Sequence, residues 1–373
     1  MERLVSALEK HRGQTPAPAT ETDPALASLR EAVSAAASRK EPLRICGGGS
    51  KSFYGRPVTG QSLDLSTYTG IVAYEPAELV ITARAGTPLI EVEQALAEQG
   101  QMLAFEPPHF GPQATLGGTI ACGFSGPRRP YAGAARDFML GVTCLNGRGE
   151  LLRFGGQVMK NVAGFDVSRL MVGALGTLGV LLGISLKVLP RPRAETTLAQ
   201  YVSPLEAIEL MNRWAGTPLP LSATAYHDAR LYVRLSGAAA AVAEAAKRLG
   251  GETLDHGEEF WGDLREQRLA FFAGTEPLWR LSVPPALPSL SLAGETLVEW
   301  GGAQRWLKTQ TTAEEVMRIA TAHGGHATLF RGGDREGQVF TPLPPATLAV
   351  HRRLKAAFDP EGIFNPGAMY AEL

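Results

Sequence analysis

The stretch Ala114-Thr-Leu-Gly-Gly-Thr-Ile-Ala-Cys-Gly-Phe-Ser-Gly126 holds four glycines and almost no bulk. A segment of this kind builds no core of its own. Its glycines let the backbone approach a flat or anionic ligand closely. Runs of free N–H groups in such loops make anion-binding nests. Two further stretches share this character, Cys46-Gly-Gly-Gly-Ser-Lys51 and Gly173-Ala-Leu-Gly-Thr-Leu-Gly-Val180. One such cluster reads equally well as a turn; three point to one large phosphate-bearing cofactor. None fits the usual nucleotide motifs. Lys51 follows a serine, so there is no G-K-[ST] of a Walker A loop, and Ser52 occupies the last glycine position of G-x-G-x-x-G. A Rossmann dinucleotide fold is therefore not expected.

A second group of candidates lies downstream. Arg305, between Gln304 and Trp306, could clamp a substrate carboxylate through two parallel hydrogen bonds, or could be a solvated strand residue. His323-Gly-Gly-His326 offers imidazoles for proton transfer. Without a neighbouring carboxylate the pair makes no metal site, and it reads also as a turn histidine and a packed strand histidine.

The chain that must position these groups has 373 residues, enough for two or three domains with ample core. Its apolar fraction of 45% and charged fraction of 20% are those of a soluble globular protein. A net charge of −1 gives no broad basic field for nucleic acid or an anionic membrane. The N-terminus starts as an amphipathic helix without the apolar core of a secretory signal. The apolar run from Leu170 to Leu186 is cut by glycines and reads as buried strand and turn, not as a membrane span. The three cysteines, Cys46, Cys122 and Cys144, are scattered and form no C-x-x-C. That fits a reduced cytoplasmic chain and leaves no Cys₄ iron–sulfur or zinc site within it.

Local signals set the elements. Asp23 and Pro24 open a helix to about Arg39 as N-cap and first position. Short β-rich runs follow at Pro42–Cys46, Leu63–Ser66, Gly70–Tyr74 and Leu79–Ala85. Thr87-Pro88 starts a second helix, with Thr87 as its cap, ending at Gly100. From about Arg191 to Phe340 strands and helices alternate in a β-αβ-β-αβ order, which suggests a ferredoxin-like unit. A last helix runs from Pro345 to Phe358.

Four stretches in order carry a family resemblance: Arg44-Ile-Cys-Gly-Gly-Gly-Ser-Lys51, Pro112-Gln-Ala-Thr-Leu-Gly-Gly118, Arg136-Asp-Phe-Met-Leu-Gly141 and Gly176-Thr-Leu-Gly-Val-Leu-Leu182. They resemble the FAD-binding domain of the vanillyl-alcohol oxidase family, the PCMH-type domain. Leu79-Val-Ile-Thr-Ala-Arg-Ala-Gly-Thr-Pro88, Glu106-Pro-Pro-His-Phe110, Arg153-Phe-Gly-Gly-Gln-Val-Met-Lys-Asn-Val-Ala-Gly164 and Phe358-Asp-Pro-Glu-Gly-Ile-Phe-Asn-Pro-Gly-Ala-Met-Tyr370 are similar to the flavin-binding E subunits of bacterial glycolate oxidases (glycolate dehydrogenases).

The resemblance implies an α+β fold: a PCMH-type, two-subdomain FAD-binding domain at residues 23–190 after an N-terminal helix and linker at 1–22. A ferredoxin-like α+β cap follows at 191–340, and a C-terminal segment, 341–373, returns to the FAD domain. It implies that Gly47, Gly48, Gly49, Ser50 and Lys51 wrap the FAD pyrophosphate. Ala114, Thr115, Gly117, Gly118 and Ala121 would lie along phosphate and ribitol, with Ser125 and Gly126 beside them, and Gly179 and Val180 at the adenine end. No histidine stands in the first loop, so FAD is expected to be non-covalent, with His109 the nearest alternative tether. The implied partners are a larger catalytic flavoprotein subunit and a Cys-rich iron–sulfur subunit. Any membrane contact is then peripheral, made through the complex at the inner face of the cell membrane.

One departure bears on activity. Hydroxy-acid dehydrogenases of this fold often carry a His-x-His-x-Gly-Asp-Gly-Asn-x-His signature, of which this chain has only His323 and His326. Two readings follow. In one, a small 2-hydroxy acid such as glycolate or D-lactate is oxidised at this flavin, with His326 as base and Arg305 on the carboxylate. In the other, the chain is an FAD-bearing relay or assembly subunit and oxidises nothing itself.

Overall fold

The computed structural model describes residues 23–156 and 166–373. The helix expected within 1–22 and part of the stretch Arg153–Gly164 lie outside the described residues. The first helix spans Pro24–Arg39, and the Asp23 carboxylate accepts from the Ala25 amide, as the sequence predicts. Its apolar face, Leu26, Val33 and Ala36, is fully buried. Strands β1 (Leu43–Cys46) and β2 (Gln61–Asp64) pair in parallel. Next come β3 (Ile71–Glu75), β4 (Val80–Arg84), the helix Leu89–Glu98 and the short β5 (Gln101–Met102).

Thr87 does not cap that helix. Pro88 occupies the cap position without a side-chain bond, and the buried Thr87 hydroxyl bonds the amide and carbonyl of Gly70. It thus ties the loop before β3 to the end of β4. The glycine-rich stretch after it is not an open loop. Residues Leu116–Cys122 form a short helix capped by Thr115, with Leu116 and Ile120 buried.

Strands β6 (Met139–Leu145), β7 (Leu151–Gly155) and β8 (Val180–Lys187) complete an antiparallel sheet of order β3-β4-β8-β6-β7. The central β8 is buried at seven successive positions, which is why it reads as a continuous apolar run. β9 (Leu189–Pro190) pairs with β5. The core between this sheet and its helices includes Phe105, Leu116, Ile120 and, from the far end of the chain, Phe358 and Phe364.

The second layer is one eight-stranded antiparallel sheet. Its strands are β10 (Ala194–Tyr201), β11 (Leu221–His227), β12 (Arg230–Gly237), β13 (Glu252–Thr253), β14 (Leu278–Ser282), β15 (Glu295–Glu299), β16 (Gln304–Lys308) and β17 (His326–Arg331). The order β13-β10-β12-β11-β15-β16-β14-β17 contains the expected ferredoxin-like arrangement twice. In each half the strands stand fourth, first, third, second, and the two second strands meet edge to edge. The join is two residue pairs long, Ala225 with Glu299 and Tyr226 with Val298. In the first half the helices Pro204–Ala215 and Ala239–Leu249 cover the outer face. In the second, Ala313–Ala322 does so, and the Pro-rich segment 283–294 replaces the other helix.

The inner face is aromatic: Trp306, Phe330 and Phe272 pack with Trp261 and with Phe124 of the first layer. The helix Pro345–Phe358 then leads back to the first layer. There Phe364 bridges Leu43 of β1, with Leu43 donating to Ile363 and Asn365 donating to Leu43. Lys355 locks this return. Its buried ammonium donates to Asp359 at 2.7 Å, to the Phe364 carbonyl at 2.7 Å and to the Thr177 carbonyl at 2.8 Å.

Candidate functional site

The three small-residue stretches meet at one cavity of 390 Å³, within the range of pockets that hold small ligands. Of the residues expected to hold a cofactor, Gly47, Gly48, Gly49, Ser50, Lys51, Thr115, Gly117, Gly118, Ala121 and Gly179 line it. Close approach of the loops explains the glycines. A Cβ on Gly48 would lie 1.5 Å from the Gln113 carbonyl oxygen, and one on Gly117 would lie 2.7 Å from the Ala85 Cβ.

The stretches contribute differently. Among the described residues, no backbone hydrogen bond takes up the amides of residues 47–51. In the short helix the amides are spent inside the protein: Leu116 donates to Thr87, Gly117 to Ala85 and Gly118 to the Thr115 hydroxyl. The first loop therefore has donors left over that an anion could take, and the second leaves room. Lys51 is 8% exposed. Its ammonium donates to the His109 carbonyl at 3.1 Å and to the Ser50 hydroxyl at 3.4 Å, with no ion pair among the described residues. Burial lowers its pKa. A buried cation beside free amides is a site short of an anion, and it fits the pyrophosphate of FAD.

Four expected residues stand away from the cavity. Ala114 is buried, and its carbonyl accepts from Leu89. Val180 lies inside β8 with its side chain in the core. The Ser125 hydroxyl accepts from the Ala135 amide. Gly126 sits at the seam between the layers, donating to Phe105 and accepting from the Trp300 indole. Sequence reasoning did not select Tyr54, Cys122, Gly176 or Asn365, which also line the cavity. The last three fall inside quoted stretches; Tyr54 had no signal except its place just past Lys51. Burial pushes the Cys122 thiol up to about 11, so it stays neutral. His109, the alternative tether, has its ring held by Glu93 at 2.9 Å.

The seam is held by charges from both sides. The Glu266 carboxylate accepts from the amides of His109 and Phe110. Glu106 pairs with Arg128 at 3.1 Å and Arg234 at 2.9 Å, and Arg128 reaches Glu195 at 2.7 Å. Burial alone would raise the Glu106 carboxyl, but Arg234 and Arg128 together hold it below its ordinary value.

The two catalytic candidates part company. Alternation along β16 sends Trp306 to the inner face, and so sends Arg305 to the outer one. There Arg305 is 5% exposed and donates to the carbonyls of Gly302, Pro288 and Leu287. It is the internal clasp of segment 283–294, which overturns the expectation of a carboxylate clamp. His326 begins β17 on the same face as Thr328 and Phe330, toward the first layer. His326 keeps a solvent-exposed edge at the strand start; partial desolvation, then the charge of Arg280, lowers its pKa from the usual histidine value, which favours the neutral ring. His323 is spent on the Ile319 carbonyl at 2.9 Å.

Comparison with known proteins agrees with the cavity. Residues 25–155 match the family described as FAD binding domain, and residues 297–369 match FAD linked oxidases, C-terminal domain. The chain is 52% identical over 346 residues to the glycolate oxidase subunit GlcE of Escherichia coli K12, covering 93% of this chain and 97% of that protein. It is 31% identical over 163 residues to a D-lactate dehydrogenase of Anaerostipes hadrus, covering 43% of this chain but only 32% of that enzyme. A p-cresol methylhydroxylase structure superposes with a TM-score of 0.69 at 15% identity, covering 98% of this chain and 92% of that one, and so shares the fold.

Proposed function

The chain belongs to the FAD-linked oxidase family of the glycolate oxidase subunit GlcE, and on that premise we propose that it is the FAD-binding subunit of a multisubunit glycolate oxidase (dehydrogenase). The complex oxidises glycolate, with D-lactate as the alternative substrate, to the 2-oxo acid. Its other members are a larger flavoprotein subunit and a Cys-rich iron–sulfur subunit that receives the electrons. The complex is cytoplasmic and touches the membrane only peripherally; among the described residues no helix is long and apolar enough to cross one. The domain reading is 23–190 for cofactor, 191–340 for the cap and 341–373 for the return.

One observation carries the proposal: three small-residue stretches line a single cavity where, among the described residues, the buried Lys51 has no ion pair and the amides of 47–51 have no backbone acceptor. FAD bound there supplies the two-electron acceptor. Residues 47–51 hold its phosphates. The binding is non-covalent, because the His109 ring is tied to Glu93. His326, neutral and on the inner face, accepts the substrate hydroxyl proton.

A second reading is favoured by the seam itself. Phe53, Tyr54, Phe110 and Phe124 pack against Phe330 with ring centroids 5.3 to 6.0 Å apart. A seam filled this way suits a relay or assembly subunit that meets no substrate. Anaerobic mixing of the FAD-loaded chain alone, and then of the whole complex, with glycolate and D-lactate separates the two. Bleaching of the flavin in the lone chain supports direct oxidation. Bleaching in the complex only supports the relay, and an FAD-free chain in an active complex sinks both.

A further inference from the structure

Two arginines and a histidine approach one another across the seam, and among the described residues none of the three forms an ion pair. Arg280 projects from β14 on the inner face. Its guanidinium carbon lies 5.8, 5.6 and 5.7 Å from the ring centroids of Tyr54, Phe124 and Phe330. Among the described residues its one side-chain hydrogen bond goes to the Tyr54 hydroxyl at 3.1 Å. His326 is its diagonal neighbour on the same face, since Arg280 pairs with Thr328 and Ser282 with His326; such positions stand about 7–8 Å apart. From the opposite layer Arg129 stacks on Trp300 at 4.3 Å, and Trp300 is fixed by its bond to the Gly126 carbonyl. Burial and the charge of Arg280 lower the pKa of both Arg129 and His326, so both stand within the field of Arg280. The acid that acts on Arg129 is Asp137, whose carboxylate accepts from the Ala134 amide.

The neighbouring arginines show that this arrangement is selective. In the same seam Arg128 and Arg234 are each matched by Glu106 and Glu195. Arg129 and Arg280 carry no such match among the described residues. Like charges brought together in a half-buried seam cost free energy, and an anion bound between them offsets that cost.

We propose that Arg280, Arg129 and His326 form a binding site for a small carboxylate, next to the cofactor cavity that Tyr54 and Cys122 line. The ligand class is a short carboxylic acid bearing an oxygen on the neighbouring carbon. Arg280 takes the carboxylate through two parallel N–H groups, Arg129 adds charge from the other layer, and the neutral His326 ring accepts from the second oxygen when that is a hydroxyl. The three rings packed around Arg280 keep the ligand short. The assignment rests on the hydroxy-acid reading above and replaces Arg305 as its anion-binding group.

The test uses the FAD-loaded full chain and oxalate, which has both oxygens but no hydride to give. Binding is read by titration calorimetry and by the change in flavin absorbance. The expected result is saturable binding, weakened about 30-fold or more in Arg280→Met and about 10-fold in Arg129→Gln, with FAD content unchanged in both. Arg280→Met also removes a charge from the ring cluster. Arg280→Lys, which keeps that charge, should recover part of the affinity, and Arg129→Gln leaves the rings in place. Undetectable oxalate binding by the wild type, or equal binding by wild type and both arginine variants, overturns the site. An FAD-loaded chain in a complex bleached by glycolate would still leave the proposed function standing in that case.

Discussion

Glu299 is a carboxylic acid in the inner face of the sheet, 4% exposed, at the two-pair join of the two halves. It accepts from the Trp306 indole at 2.5 Å and the Gln304 amide at 3.0 Å. Burial pushes its pKa from 4.5 up to about 7; those two bonds oppose the rise, and the Glu106 charge adds to it. The sign follows from linkage. A group whose folded pKa is raised contributes fully below its unfolded value, and the contribution is lost as pH rises through the folded value. Between pH 4.5 and about 7 the folded chain therefore loses stability through this one residue. At 1.36 kcal/mol per pH unit the loss saturates at ~3 kcal/mol. Glu299→Gln keeps shape and acceptor while removing the charge. The variant should match the wild type at pH 5 and exceed it by ~1–3 kcal/mol at pH 8.5, a rise of a few °C in melting temperature. Thermal melts of the FAD-loaded chain at both pH values measure it. Equal loss of stability in wild type and variant between pH 5 and 8.5 would refute the reasoning.

Other perturbations follow from the same geometry. Gly118→Asp puts a carboxylate into the cavity, where a Cβ meets nothing nearer than the Thr115 hydroxyl at 3.2 Å. The variant should fold but purify without FAD, and a yellow Gly118→Asp protein would remove the cavity assignment. Arg305→Met leaves three carbonyls of segment 283–302 without their donor. It should cost ~2–3 kcal/mol in denaturant unfolding while leaving the glycolate Michaelis constant of the complex within about twofold. Lys355→Met leaves the buried Asp359 carboxylate with the amides of Ile363 and Phe364 but without its cation. A loss of ~3–5 kcal/mol is expected, with FAD released at a lower temperature than in the wild type.

Much of this was legible because local chemistry decides it. Asp23 with Pro24 marks one helix start, and the final helix runs from Pro345 to Phe358 as read. The glycine stretches announced a cofactor because close backbone approach admits no other residue. The faces of the second sheet were half legible. Alternation put Arg305 opposite Trp306, yet only the packed sheet shows that the Trp306 face is the one turned toward the cofactor layer. Arg280 is cross-strand from Trp306, so register, which is non-local, was needed to find it. Thr87 misled because its hydroxyl finds a tertiary partner in Gly70 in preference to the helix it precedes. The duplication within the second sheet escaped notice because segment 283–294 stands where periodicity would have shown a helix.

The bridge between Leu43 and Phe364 also has a consequence for biosynthesis. The chain leaves the ribosome N-terminal end first, so β1 can pair with β2 early, but on its other side its bonds to residues 363–365 form only once that far segment has been made. Those far bonds wait until the second sheet has been made. During that interval the nascent cofactor layer exposes apolar surface that Phe358 and Phe364 will later cover. Until that surface is covered, the half-made layer is open to the association to which incompletely folded chains are prone.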